Sequence, residues 1–338
     1  MTILGLRLPV VLLFFFFFPV FWLLWIGFYA ISPGPASAEK QIEVVIPARS
    51  SVPEITKILS EKKVIWDDPR FSMLAIITGA ANRLRAGEYS FEGGKRPLAI
   101  IKLLKTGKVL FRPVTIPEGT EMTRVAEILA AGEWIDRSRF IDLGNDPEFA
   151  KEMGIEAAGL EGYLFPDTYY LSRGQQDEKQ IIKMMISRHF EVFKEILGSG
   201  DIALQGLTHH EIITLASIVE KETGLSDERP LVASVFLNRL AKGMRLQADP
   251  TVRYRLSGHA GPLTQAELKN PTPYNTYTIN GLPPGPISNP GKAAIQAVLF
   301  PAETDFLFFV TKDDSSHYFS RTLKEHNRAV SRSRQQSR

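Results

Sequence analysis

A chain of 338 residues is long enough for about two domains. With 44% hydrophobic residues, 23% charged residues and a formal charge of +3, it is too near neutral to argue for nucleic acid as a partner. The absence of cysteine excludes disulfides and thiolate-ligated zinc.

The first stretch bears on location. No charged residue occurs from Leu8 to Ala38, and Leu8–Ile31 is almost wholly apolar, with a phenylalanine run from Phe14 to Phe18. About 20 such residues cross a bilayer as a helix, so a transmembrane helix is predicted here, with Trp22, Trp25 and Tyr29 as interface anchors. Arg7 precedes the span, which puts the amino terminus in the cytoplasm and the bulk of the chain outside the inner (plasma) membrane. The competing expectation is a cleaved signal peptide, for which Ala36-Ser37-Ala38 is a suitable small-residue site. The length of the apolar run favours a retained single-pass anchor.

After a Pro/Gly/Ser linker (Ser32–Ser37), Ile42–Ile46 reads as a strand and Val52–Leu59 as a helix. Arg85–Phe91 reads as a second strand, closing on Gly93-Gly94, and Pro97–Leu104 as a helix with proline in its first turn. An echo follows at an offset of about 70 residues. Ile46-Pro47, Leu59, Ile65 and Phe71 line up with Ile116-Pro117, Leu129, Ile135 and Phe140. Two copies suggest a small β-α module used twice rather than a solenoid.

Gly159–Leu171 reads as a strand or tight aromatic turn, with Pro166 confining it to a sheet edge. Asp177–Leu197 is a long amphipathic helix. Thr208 with Glu211 forms a capping-box pattern that starts another, in which Ile212, Leu215, Ala216 and Val219 make one apolar face and Gly224 is the expected stop. Arg229–Leu240 is a further helix. Met244–Gly291 is mostly loop, dense in Pro, Gly, Asn and Tyr, and loops of this length in compact domains are usually functional or disordered. A helix over Lys292–Leu299 follows, then a hairpin pairing Phe306–Val310 with Tyr318–Ser320. The basic tail, Ser331–Arg338, is expected to be disordered.

The helix begun by Thr208 ends in Glu220, Lys221 and Glu222. A carboxylate there feels the negative end of the helix dipole and some desolvation, and both favour the protonated form that a general acid requires. The two glutamates are two positions apart and cannot both face one cleft; whichever is catalytic, the other is solvent-facing or a structural partner. The long loop adds Gln247, Asp249 and Thr251 in one motif, and Tyr274, Asn275 and Tyr277 in another. Aromatic faces with amide and carboxylate groups suit sugar rings, although the tyrosines also read as packing residues. The six histidines show no metal-ligand spacing, no phosphate loop or serine-nucleophile elbow is present, and Ser217 with Lys221 is a poor Ser-Lys dyad. No cofactor or metal is expected.

The motifs Glu161-Gly-Tyr-Leu-Phe-Pro-Asp-Thr168, Leu215-Ala-Ser-Ile-Val-Glu-Lys-Glu222, Leu246-Gln-Ala-Asp-Pro-Thr-Val252, Pro273-Tyr-Asn-Thr-Tyr277, Gly281-Leu-Pro-Pro-Gly-Pro-Ile287 and Asn289-Pro-Gly291 occur in this order. Together they resemble the YceG-like endolytic murein transglycosylases over residues 42–330. The resemblance implies an α+β fold: a cytoplasmic stub, transmembrane helix and linker (1–38), a small LysM-like β-α module (42–112), a mixed α+β catalytic domain (113–330) and the tail (331–338). It implies Glu220 as the catalytic acid, with Gln247, Asp249, Tyr274, Asn275, Tyr277 and Asn289 positioning a peptidoglycan strand. Peptidoglycan synthases (penicillin-binding proteins) are the implied partners. A lytic transglycosylase needs one acid/base group where a hydrolase usually needs two carboxylates, and Asp249 is the residue that favours the hydrolase. A non-catalytic peptidoglycan-binding scaffold is the rival class. The first repeat departs from the family's Ile-Pro-x-Gly in having Ile46-Pro-Ala-Arg49, whereas the second keeps Gly119. Arginine resists the positive backbone angle that glycine accepts, so a different turn is expected in the first module.

Overall fold

The computed structural model describes residues 20–198, 206–254, 256, 261–312 and 316–336. The chain forms two compact units. One is Met1–Pro113 with Tyr170–Asp177, and the other is Val114–Tyr169 with Glu178–Arg338.

The first unit contains helix α1 over residues 20–31, then β1 (Gln41–Ile46), α2 (Val52–Glu61), α3 (Arg70–Ile77), β2 (Gly87–Glu92) and α4 (Pro97–Thr106). Strands β1 and β2 pair antiparallel, with Ile42 opposite Phe91 and Val44 opposite Tyr89. Alternate residues of each strand therefore share one face. That face buries Ile42, Val44, Ile46, Tyr89 and Phe91 together with Leu59 of α2, Phe71 of α3 and Leu104 of α4. Helix α2 starts at a capping box in which the Glu54 N–H donates to Ser51 Oγ and the Ser51 N–H donates to Glu54 Oε2.

Helix α1 packs into the same core through Ile26, Tyr29 and Ala30. The rings of Trp25 and Tyr29, expected as interface anchors, each lie 4.7 Å from the Arg70 guanidinium. No described helix is long and apolar enough to cross a membrane. The predicted span Leu8–Ile31 falls largely on residues 1–19, outside the described residues.

The expected difference between the two Ile-Pro turns is absent. Arg49 adopts φ +65° and Gly119 adopts φ +70°. Burial of Ile46 before the turn and the Ser51 cap after it hold the reversal, and Arg49 accepts the left-handed angle.

The chain enters the second unit along β3 (Arg112–Thr115), which pairs with β4 (Thr168–Leu171). Between them run α5 (Met122–Ala131), α6 (Arg137–Gly144) and α7 (Pro147–Glu152), and after them α8 (Glu178–Leu197), α9 (His209–Glu222) and α10 (Arg229–Ala241). The long loop contains two short helices, α11 (Asp249–Arg253) and α12 (Gln265–Lys269), before α13 (Lys292–Leu299), β5 (Phe308–Thr311), β6 (His317–Ser320) and α14 (Leu323–Gln336).

Helix α9 is the centre of this unit. Every residue from Ile212 to Val219 is buried, and α10, α11 and α13 pack around it. The expected stop at Gly224 is not used. The helix is capped instead by Thr223, whose extended φ of −140° lets the chain leave without a left-handed turn. The tail also differs from expectation. Residues 331–336 continue α14, which packs on the β5–β6 hairpin, and Ser333 Oγ donates to the Thr311 carbonyl at 2.8 Å.

Candidate active site

Glu220 lies in the last turn of α9 with its side chain only 6% exposed. Its two oxygens have different donors. Arg229 Nη2 lies 2.9 Å from Oε1, and the Gly291 N–H donates to Oε2 at 3.0 Å. Arg229 is the first residue of α10, and it is itself buried. Gly291 caps α13, so one carboxylate touches the ends of three helices.

The Ile116-Pro117 turn forms the adjoining wall. The Gly119 N–H donates to the Asn289 carbonyl at 2.9 Å, and the Asn289 N–H donates to the Thr120 carbonyl at 3.0 Å. Gly119 lies against Glu220: an added Cβ would stand 3.4 Å from Glu220 Cγ. Lys221 Nζ donates to the Gly119 carbonyl at 3.3 Å. Glu118 Oε2 is 3.9 Å from the same Arg229 nitrogen that holds Glu220. Burial, and then the charge of Glu220, push the Glu118 carboxyl above its ordinary range, while Arg229 works against them.

Glu161 joins this wall to the loop. Its carboxylate accepts from the Met122 N–H at the start of α5, from Asn289 Nδ2 at 3.2 Å and from the Tyr254 hydroxyl at 3.4 Å. Burial nevertheless pushes its pKa up to about 8. Glu121, Glu161, Arg253 and Tyr254 line an open cleft of about 540 Å³. A cavity of about 220 Å³ with Tyr254 and Tyr274 in its wall lies beside it, and their ring centroids are 4.8 Å apart.

The residues expected to position glycan fall into separate groups. Asn289 is fully buried, with Oδ1 accepting from the Leu164 N–H and Nδ2 donating to Thr120 and Glu161. Asn275 is likewise buried, its amide donating to the carbonyls of Glu267, Leu268 and Asn270. Both amides are saturated within the protein, and they shape the walls of the site. Tyr274 lines the smaller cavity. Gln247 is exposed and left-handed, at φ +52°. Its N–H donates to the Thr276 carbonyl, and Thr276 Oγ1 in turn accepts from the Ala248 N–H, so two loop motifs are stitched together.

Asp249 accepts from the Tyr277 hydroxyl at 2.6 Å and lies in the surroundings of Glu222, not among the groups bonded to Glu220. Burial, with the Asp249 charge adding to it, raises the Glu222 pKa to about 8. The two carboxylates left open by the spacing thus face different groups, Glu220 facing Arg229 and Gly291 and Glu222 facing Asp249. The sequence reading missed Glu118, Arg229 and the Gly291 N–H. A signal for Arg229 existed: a cation in the first turn of a helix opposes the dipole and calls for a nearby carboxylate.

These features define an α+β protein with a buried carboxylate centre at a helix terminus and an open cleft with Tyr254 in its lining. Residues 44–332 match the YceG-like family, and the chain belongs to it. A protein of Bacillus subtilis (strain 168) named endolytic murein transglycosylase is 32% identical over 317 residues, covering 88% of this chain and 86% of that protein. One of the same name from Streptococcus pneumoniae (strain R6) is 27% identical over 335 residues, covering 89% of this chain but 60% of that longer protein. The crystal structure of a YceG-like protein from Listeria monocytogenes aligns with a TM-score of 0.56 and 35% identity, over 86% of this chain and 99% of that one.

Proposed function

We propose that this chain is an endolytic peptidoglycan lytic transglycosylase with Glu220 as its acid/base. Membership of the family and the relatives' shared name support the activity. The observation that carries the residue assignment is the burial of the Glu220 side chain at a junction of three helix ends, against Gly119, two residues before Glu121 in the lining of an open cleft.

Glu220 donates a proton to the glycosidic oxygen between N-acetylmuramic acid and N-acetylglucosamine, and the C1–O bond breaks with its electron pair leaving on that oxygen. Positive charge develops at the muramyl C1. The C6 hydroxyl then adds to C1 and returns its proton to Glu220, which closes a 1,6-anhydro ring without consuming water. A buried, single acid/base group suits this sequence, since one proton leaves and one returns. The bond from Tyr277 to Asp249, away from the donors of Glu220, supports this reading over hydrolysis.

The apolar run Leu8–Ile31 supports a membrane anchor that places the enzyme on the outer face of the plasma membrane. There it would meet nascent strands beside the penicillin-binding synthases that make them. Unit 1, with its antiparallel pair and packed helices, takes the place of the LysM-like module.

Mass spectrometry of digested glycan strands tests the enzyme. Anhydro-muramyl ends are expected from wild type and lost by at least a hundredfold in Glu220→Gln, in keeping with removal of a general acid. Undiminished cleavage by the variant would refute the assigned acid, and reducing ends in place of anhydro ends would favour hydrolysis. Retention on glycan by both proteins without any cleavage would favour the scaffold.

A further inference from the structure

A general acid must hold a proton, yet both oxygens of Glu220 already accept from donors fixed in the protein. Arg229 Nη2 stands 2.9 Å from one and the Gly291 N–H 3.0 Å from the other. Something in the site has to offset Arg229. The same guanidinium nitrogen has a second carboxylate 3.9 Å away, that of Glu118.

Glu118 sits on a turn whose backbone is fixed. The turn that carries it is tied to Asn289 by backbone bonds, and its carboxylate packs on the Gly291 backbone, where an added Cβ would fall 1.9 Å from Oε1. Its side chain remains 48% exposed, against 6% for Glu220. Arg229 Nε, on the same guanidinium, is buried without a hydrogen-bond partner among the described residues, so the cation is not locked on every side.

The other charged groups nearby are engaged elsewhere. Lys221 of α9 donates to the Gly119 carbonyl, and Glu121 lies in the field of that lysine. Lys292 of α13 is paired with Glu195 at 2.6 Å, and Glu228 of α10 with His317. Asp249 of α11 belongs with Glu222. Two carboxylates therefore share one cation, and one negative charge is left over.

We infer that Glu118 is a positioning residue for the transglycosylation, competing with Glu220 for Arg229 so that the Glu220 carboxyl is released from the cation when it takes up its proton. The inference rests on the reading of Glu220 as the acid. Burial first, and then the charge of Glu220, push the Glu118 carboxyl up, while Arg229 pulls it down.

Removing the charge of Glu118 leaves Arg229 to Glu220 alone, as a closed ion pair. In Glu118→Gln the alkaline limb of the pH profile for kcat/KM, measured by anhydro-end formation on purified uncrosslinked glycan strands, is expected to move down by about one unit. Activity at neutral pH then falls roughly tenfold and returns to the wild-type value on the acid side. Glu118→Asp, which keeps the charge, is expected to restore the limb. A profile unchanged in Glu118→Gln overturns the inference, and so does a loss that is equal at every pH, because that is the mark of a structural role. A Glu220→Gln control that still cleaves overturns the reading beneath it. A silent control beside an unshifted Glu118→Gln profile overturns this inference alone.

Discussion

Arg49 holds a left-handed turn that its counterpart in the second repeat gives to glycine, with φ +65° against +70°. For a side-chain residue this region costs roughly 1–2 kcal/mol, part of which glycine forfeits through its greater freedom when unfolded. Arg49→Gly is therefore expected to stabilise the protein by about 0.5–1 kcal/mol, read as a rise in the denaturant midpoint with an unchanged slope. A fall in the midpoint would mean that the arginine makes contacts worth more than the strain. The Ile-Pro echo made this position legible in the sequence, but not its outcome, because flanking burial and a helix cap hold the turn against local preference. Glu118 is the opposite case. It stands beside the repeated glycine, yet its meaning comes from Arg229, more than a hundred residues later, and no local pattern connects the two.

At the scale of elements, the helices around the site were readable because each carries a buried stripe. Thr208 and Glu211 form the expected capping box, and α13 occupies the expected Lys292–Leu299. What periodicity did not disclose is the histidine contact between α8 and α9. His189 Nε2 lies 3.0 Å from His209 Nε2, and His210 Nδ1 lies 2.8 Å from the Tyr163 hydroxyl. Adjacent histidines in a first helical turn read as solvated, whereas Phe193 and Tyr163 enclose the His209 ring. Burial lowers the His189 pKa to about 3 and that of His209 to about 4, with neighbouring histidines adding to the effect.

An unfolded histidine titrates near 6.5, so below that pH the unfolded chain binds protons that the native pair refuses. The stability contributed by these neutral rings is present above about pH 6.5 and is lost as pH falls toward 4 and 3. Glu161 and Glu222, both raised to about 8, act in the opposite sense: they hold protons in the native state, and their contribution is lost as pH rises from the ordinary carboxylate range through 8. The wild-type curve alone therefore cannot isolate the histidines. In His189→Gln the stability deficit relative to wild type is expected to shrink by about 1.4 kcal/mol for each pH unit below 6.5. Denaturant titrations of both proteins between pH 7 and pH 5 measure it, and a deficit constant with pH would rule out the buried neutral pair.

At the scale of the molecule, the first unit is discontinuous in sequence. The reading of a module over 42–112 follows composition and motifs, which are continuous by nature, whereas this unit also takes in Tyr170–Asp177. The returning segment is bonded into it. The Glu88 N–H donates to Ser172 Oγ at 3.0 Å, and Arg173 stands 3.6 Å from the Glu88 carboxylate. That carboxylate is 1% exposed and also takes Arg112 at 2.7 Å. Gly174 packs so closely that an added Cβ would stand 2.8 Å from the Ile46 carbonyl. A fragment ending at Pro113 leaves a buried backbone donor unpaired and a buried charge with one cation fewer, each loss costing roughly 1–3 kcal/mol. Small domains have only about 5–15 kcal/mol of stability in all. The fragment 40–113 is therefore expected to unfold at a lower urea concentration than the same fragment joined through a short Gly/Ser linker to residues 170–177, by at least about 2 kcal/mol. Ser172→Ala in the tethered form should return part of that difference. Equal midpoints for the two fragments would make the returning segment a passenger and restore the continuous module as the folding unit.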